Sequence, residues 1–527
     1  MTFIMKHLTR YVSFFVILLL HACESTDNAS PNYQYLEEIT MSDLQAGYRE
    51  GTFTIEQVVA DYLKRIKDLD KKGPKLNSII FINPKARETA RELDQEWKEG
   101  KYRGPLHGIP VILKDNINTS DMPTTAGATV LRNSFPPDDS YITKKLRDAG
   151  AVILGKANLS EWANFRADMS SSGWSGVLGQ TKNPYVLDRN PCGSSSGSGV
   201  AASANLCTIA IGTETNGSIV CPSNNNGLVG LKPTVGLVSR SGIIPISFTQ
   251  DTAGPMGRTV TDVALCLGAL VGVDSTDSKT LASYGQALSD YTPHLKKDGL
   301  KGKRIGLLKN NMGYHARVDS LTKKAIADIK AQGAEVVELD FRMDREAGSA
   351  SFTVLLYEFK DGLEKYFMSL GEKAPVRDLG ELMEFNKKDS IELRWFDQQL
   401  LKMAHEKGPL TDKDYQEALA KMLKATRADG IDKLLADNKL DALMAPTGSP
   451  AWKTDLINGD HFLGSSSSLA AIAGYPSITV PMGFVEELPV GVSFMASAWQ
   501  EPKLIEIAYA YEQATRHRQA PRYISGN

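Results

Sequence analysis

Two periodicities alternate along this chain. In "VVADYLKRIKDL", Val58, Val59, Tyr62, Leu63 and Ile66 recur at helical spacing. Ser42-Asp43-Leu44-Gln45 and Thr54-Ile55-Glu56-Gln57 read as capping boxes that open helices. "PKARETARELDQEWKEG" predicts a polar, exposed helix that starts at Pro84. Short apolar runs lie between such stretches. "GIPVILKDNI" predicts a buried strand ending at Lys114, and "AVILG" predicts another behind the helix of "SYITKKLRDAG". "KRIGLLKN", "SLTKKAIADIKAQG" and "AEVVELD" predict a strand–helix–strand unit. "LDALMAP", "PSITVPMGF" and "GVSFMAS" predict strands, and "KLIEIAYAYEQATRH" a C-terminal amphipathic helix.

Apolar strands separated by helices predict an α/β fold with a largely internal sheet. The expected architecture is one large domain over residues 36–525, a central mixed β-sheet covered on both sides by helices. No Pro/Gly/Ser linker beyond residue 35 is long enough to divide it, and residues around 343–430 are the best candidate for a helical insertion. The first residues are a separate object. Lys6 and Arg10 precede the short apolar run "YVSFFVILLL", which reads as a signal peptide over 1–22 rather than a bilayer span. Leu20-His21-Ala22-Cys23 resembles a bacterial lipobox, which implies a lipid on Cys23 and export to the periplasm or cell envelope. Residues 23–35 then read as a polar tether.

Composition narrows the classes. With 527 residues, 42% hydrophobic, 23% charged and a net charge of -2, no global field favours nucleic acid or anionic lipid. The expected membrane contact is therefore the N-terminal lipid alone. Four cysteines follow Cys23: Cys192, Cys207, Cys221 and Cys266. None forms a CxxC pair and most sit in apolar or Gly-rich context, so they read as buried free thiols. No Cys/His pair has zinc-ligand spacing.

The chemistry concentrates in "CGSSSGSGVAASANLCTIAIGTETNGSIVCPS" (Cys192 to Ser223). Gly193-Ser194-Ser195-Ser196-Gly197 fits G-x-S-x-G, but a nucleophile elbow needs a strand before it. "TKNPYVLDRNP" has no strand period. No Walker or G-x-G-x-x-G pattern supports a phosphate cradle. "GTETNGS" follows the buried run "CTIAIG", and its bend can turn the backbone N–H groups of Thr215, Asn216, Gly217 and Ser218 inward as an oxyanion hole. A serine hydroxyl there still needs a base. No histidine lies in a motif with Ser218, which leaves lysine. Lys114 ends an apolar strand, where burial would make neutral amine available, although a strand-end lysine taken alone is more often solvated.

These residues resemble the amidase signature family. Its Gly-Ser-Ser run is Gly193-Ser194-Ser195 here, its Gly-Thr-acidic-x-x-Gly-Ser-Ile turn is Gly212 to Ile219, and its "GIPV-x-LKDN" stretch spans Gly108 to Asn116. The resemblance implies a triad of Lys114, Ser194 behind a cis peptide bond, and Ser218 as nucleophile, with Ser195 as a supporting hydrogen bonder. It implies amide hydrolysis through an acyl-enzyme, with no cofactor and no metal, by a monomer. Within the family, "NLSEWANFR" and "GLKPTVGLVSRSGIIPISFTQDTAGPMGR" are similar to the bacterial peptide amidases, so the expected substrate is a C-terminal peptide amide. A broader amidase acting on amino-acid, aryl or fatty-acyl amides is the alternative, and an inactive lipid-anchored binding protein is the alternative from another class. Asn216 and "NNNG" (Asn224 to Gly227) depart from the family pattern beside the nucleophile, where they could alter substrate range.

Overall fold

The computed structural model describes residues 33–526. The signal peptide, and Cys23 with its lipid, lie outside the described residues. The tether ends earlier than expected. Tyr33 is buried and donates to Asp68 (3.1 Å), and the Tyr35 hydroxyl donates to Asp61 (2.9 Å), so the last part of 23–35 packs on the domain.

Eleven strands form one sheet: β1 (Ile79–Ile82), β2 (Pro110–Lys114), β3 (Val152–Ala157), β4 (Ile209–Glu214), β5 (Val229–Lys232), β6 (Thr252–Gly257), β7 (Arg304–Leu308), β8 (Glu335–Leu339), β9 (Ala442–Pro446), β10 (Ser477–Val485) and β11 (Leu488–Met495). Their order is β1-β3-β2-β4-β6-β5-β10-β11-β9-β7-β8. β2 runs parallel to β3 and β4, and β7 runs parallel to β8 and β9. β4/β6, β5/β6, β10/β5, β10/β11 and β11/β9 are antiparallel, which makes the sheet mixed as expected. β2, β3, β4, β5, β6 and β9 are buried at every position, so helices must cover both faces. Among the described strands, exposed positions occur in β1 and β8, the two outer strands of the sheet.

The anticipated insertion is present. Between β8 and β9 lie helices Arg345–Ser369, Leu379–Lys388, Gln399–His405, Lys413–Thr426 and Asp432–Asn438. They bury an apolar cluster of their own, in which Leu356, Phe359 and Leu363 meet Ala126, Ile244 and Ile246 of the sheet domain. The insertion therefore docks on the loops at one end of the sheet.

Sequence and structure differ at the first helix. Thr40, not Ser42, is the cap: its hydroxyl accepts from Asp43 N (3.1 Å) and the Asp43 carboxylate accepts from Thr40 N (3.0 Å). Asp43 serves the box as well as Glu would, and the Ser/x/x/Gln frame sits two residues too late. At the second helix, Thr54 caps Gln57 N as expected (3.1 Å). The polar helix begins at Ala86, after Pro84 and Lys85.

Candidate active site

β2 and β4 are neighbours, so the ends of both strands converge. β2 delivers Lys114 and β4 delivers Thr213 and Glu214. The helix Ser196–Ser203 packs on β2 and β4, and the turn before it carries Ser194 and Ser195. The three polar segments thus meet inside the core. Lys114 and Ser194 are fully buried, and Ser218 is 8% exposed.

Lys114 Nζ lies 2.7 Å from Ser194 Oγ. It also donates to Thr213 O (3.2 Å) and to Thr213 Oγ1 (2.9 Å). Asn116 Nδ2 donates to the same Thr213 hydroxyl (3.0 Å), which fixes that oxygen as an acceptor. A neutral amine has two N–H bonds and one lone pair. With both N–H bonds committed to Thr213, the lone pair faces the Ser194 hydroxyl. Burial pulls the Lys114 amine down to about 7, against the opposing pull of the Asp251 and Glu214 carboxylates. Sequence reasoning reached Lys114 but missed Thr213 and Asn116, whose only signal was their place in the two motif stretches.

The peptide bond between Gly193 and Ser194 is cis. A Cβ on Gly193 would collide with Ser160 Oγ, so only glycine fits. Ser195 joins the pieces: its hydroxyl donates to Thr213 O (3.0 Å), accepts from Thr213 N (3.2 Å), and its amide donates to Ser218 O (3.2 Å). Ser196 and Ser198 donate to Cys192 O (2.7 Å) and Ile211 O (3.1 Å) in the scaffold.

Thr215, Asn216, Gly217 and Ser218 form one turn, with Gly217 at φ 84° where a Cβ would be strained. Among the described residues, the four backbone N–H groups of this turn have no protein acceptor. Both ends are pinned. Thr215 Oγ1 donates to Asp251 (2.6 Å), and Glu214 Oε2 accepts from Ile219 N (2.7 Å) and Val220 N (3.0 Å). The side chain of Asn216 bonds Ser467 (2.7 Å) and Ser468 (3.2 Å). Asn224 and Asn226 bond the scaffold: Asn224 takes Gly491 N (2.7 Å) and Asn226 donates to Pro191 O (2.9 Å). Asn226 thus holds the loop before Gly193, Asn224 ties its helix to β11 and to Ser449 O (3.0 Å), and neither side chain bonds the turn's backbone donors.

A cavity of about 590 Å³ opens beside this cluster, lined by Asn116, Thr213, Thr215, Asp251, Phe248 and Tyr366 among others. A larger one of about 900 Å³, walled by Arg189, Trp452 and His461, shares none of these residues.

The cysteine expectation is corrected. Cys192 and Cys221 form a disulfide, with Cα atoms 6.0 Å apart, while Cys207 and Cys266 are buried free thiols. Spacing and apolar context could not reveal that the loop before Gly193 folds back onto the helix Val220–Asn225. His107 is buried as a packing residue, its Nε2 3.1 Å from Leu93 O.

Comparison with known proteins shows what the chain as a whole is similar to. The sequence profile of the family described as amidase matches residues 57–505. A probable amidase of Arabidopsis thaliana is 40% identical over 503 residues, covering 93% of this chain and 92% of its own. A crystal structure of a peptide amidase in complex with the competitive inhibitor chymostatin superposes with a TM-score of 0.90 at 51% identity, covering 92% of this chain and 99% of that one. The native peptide amidase of Stenotrophomonas maltophilia gives 0.89 at 50% identity, over 93% of this chain and 99% of that one.

Proposed function

The chain belongs to the amidase signature family and is an amide hydrolase, and on that premise we propose that it removes the C-terminal amide of peptides, releasing ammonia, through an acyl-enzyme on Ser218. The observation that carries the proposal is the 2.7 Å contact between Lys114 Nζ and Ser194 Oγ in a fully buried setting.

Ser218 Oγ attacks the amide carbonyl and passes its proton to Ser194, whose own proton goes to the lone pair of Lys114. The N–H groups of the Thr215–Ser218 turn receive the oxyanion, and donors of this kind are the largest single source of rate in acyl transfer. The proton on Lys114 returns through Ser194 to the amide nitrogen, the C–N bond breaks and ammonia leaves. Water then attacks the ester by the same relay and frees the peptide carboxylate. Thr213 and Asn116 serve by fixing which face of the amine Ser194 meets. With its amine near 7, Lys114 is neutral in much of the population at neutral pH, as a general base must be.

The peptide-amide substrate draws its support from two solved peptide amidase structures of about half-identical sequence. We place the mature protein at the cell envelope through a lipid on Cys23; none of the described helices is long and apolar enough to cross a membrane. The test is ammonia release from a panel of peptide amides, free peptides and aryl or fatty-acyl amides. Preference for peptide amides, with internal peptide bonds left intact, is expected. Preference for the other amides makes it a broader amidase, and no turnover on any of them makes it a binding protein.

A further inference from the structure

The turn that carries Ser218 must be held more tightly than a loop usually is, because its donors act over tenths of an ångström. β4 and β6 pair antiparallel up to Glu214↔Thr252. The next opposed pair would be Thr215 and Asp251, where the ladder stops and the turn begins. Here a side-chain bond replaces the backbone ladder: Thr215 Oγ1 donates to Asp251 Oδ1 at 2.6 Å. Asp251 Oδ2 is itself fixed by Ile246 N (2.7 Å) and Ser247 N (2.8 Å). The neighbouring Gln250 Nε2 donates to Thr215 O (3.3 Å), and Gln250 Oε1 accepts from Ser351 of the insertion (2.6 Å). Thr215 is therefore gripped at both its hydroxyl and its carbonyl by one segment, 246–251. That segment is bound in turn to the insertion, since Glu358 accepts from Thr249 N (3.0 Å), Thr249 Oγ1 (2.6 Å) and Tyr415 (2.7 Å).

We propose that Asp251 is a positioning residue of the reaction: it fixes Thr215 at the root of the oxyanion turn, and its carboxylate lines the same cavity as Thr213, the residue that holds the Lys114 amine. The proposal rests on the amide-hydrolase relay described above. Two carboxylates act on Lys114, Asp251 first and Glu214 second, and both favour its protonated form. Glu214 is committed to the amides of Ile219 and Val220. The charge facing Asp251 itself is Arg240, which is paired with Asp277. Burial holds the Asp251 carboxyl up at about 6, against the hydrogen bonds from Thr215, Ser247 and Ile246 that favour its ionised form.

Asp251→Asn keeps the shape and removes the charge. Thr215→Val removes the hydroxyl donor and leaves the charge, and Thr215→Ser restores the donor. Two readouts apply to the full-length enzyme and these variants: kcat and KM on a peptide amide against pH, and the rate of phosphonylation by an alkyl phosphonofluoridate. In the second, a bond forms between Ser218 Oγ and phosphorus, the P–F bond breaks, fluoride leaves and the serine proton passes to Lys114. Asp251→Asn should lower kcat and the labelling rate about 10- to 100-fold with a smaller change in KM, and should move the acidic limb of both profiles to lower pH, because the charge that favoured protonated Lys114 is gone. Thr215→Val should lower the plateau comparably with a smaller shift of the limb, and Thr215→Ser should recover it. An unmoved limb in Asp251→Asn, or a Thr215→Val enzyme with the wild-type plateau, would overturn the proposal. Should the wild type hydrolyse no peptide amide but label on Ser218, with labelling slowed in Asp251→Asn, the substrate assignment falls and the role of Asp251 stands. No labelling of Ser218 in the wild type overturns both.

Discussion

Cys192 and Cys221 are joined by a disulfide that brackets the two serines of the site, the first lying two residues before Ser194 and the second three after Ser218. The bond closes a loop of sequence separation 29. It packs with Trp452 in a small apolar cluster of its own. In the chain-entropy account a loop of that length stabilises by about 3–4 kcal/mol. Cys192→Ala/Cys221→Ala should lower the urea midpoint accordingly, and reductant should lower the wild-type midpoint toward the same value. Equal midpoints for wild type and double variant, with and without reductant, would remove the bond from the account.

Lys114 should show opposite effects on activity and stability. Its amine is lowered from an ordinary 10.5 to about 7. Its proton must be off for catalysis, so kcat/KM should rise through an acidic limb near pH 7. Folding, by contrast, works against the unfolded chain's preference for the charged form. The unfolded state binds more protons between about 7 and 10.5, so stability contributed through this group rises with pH across that window. Lys114→Met should be inactive, and any stability it gains over wild type should shrink as pH rises from 7 toward 10.5. Urea melts at several pH values read this directly, and a stability difference that is flat with pH contradicts it.

Arg166 sits between two buried carboxylates. Its Nη1 lies 2.7 Å from Glu161 and 3.1 Å from Glu392 of the insertion, and all three side chains are nearly inaccessible. Glu392 also accepts from Thr129 N (2.6 Å). Between Glu161 and Arg166 lie Trp162, Ala163 and Asn164, three successive residues in the left-handed region. Burial, and Glu392 beside it, already push the Glu161 carboxyl well above the usual carboxylate range, so Arg166 is the counter-charge of a carboxyl pair; removing one partner of such a buried cluster costs about 3–5 kcal/mol. Arg166→Met should therefore destabilise strongly, and Arg166→Met/Glu392→Met should recover part of the loss. A single variant as stable as wild type would show that the cluster carries no net weight.

The fold was largely legible because its strands are short, apolar and separated by clear helical stripes. "PVILK" became β2 with the predicted last residue, since burial on both faces leaves no polar position to confuse the pattern. The insertion was visible as a long helical tract between two strand-like runs. The candidate site residues came from local stretches: Lys114 and the Thr215–Ser218 turn from their chemistry, Ser194 from the family resemblance, and the structure brings Lys114 and Ser194 to 2.7 Å. What stayed hidden was contact across the chain. Thr213 and Asn116 act only because β2 and β4 are neighbours, Asp251 only because β6 opposes β4, and the disulfide only because a loop returns over the helix after the nucleophile. Tyr33 and Tyr35 misled in the other direction, as tyrosines at the end of a polar stretch can pack on a domain that sequence spacing does not place beside them.

Cys23 is tested by mass and fractionation in a bacterial host. The wild type should carry an acyl modification on Cys23 and sediment with membranes, and Cys23→Ser should remain unprocessed or become soluble. Identical mass and fractionation for the two would contradict lipidation.

In the proposed reaction Ser218 carries the acyl group. The direct measurement is mass spectrometry of enzyme acid-quenched during turnover of an N-acyl dipeptide amide, with ammonia release followed in parallel. An added acyl mass is expected on the peptide containing Ser218, with loss of both adduct and ammonia in Ser218→Ala, which stays folded. Undiminished ammonia release in Ser218→Ala, or an acyl group on another residue, would contradict it.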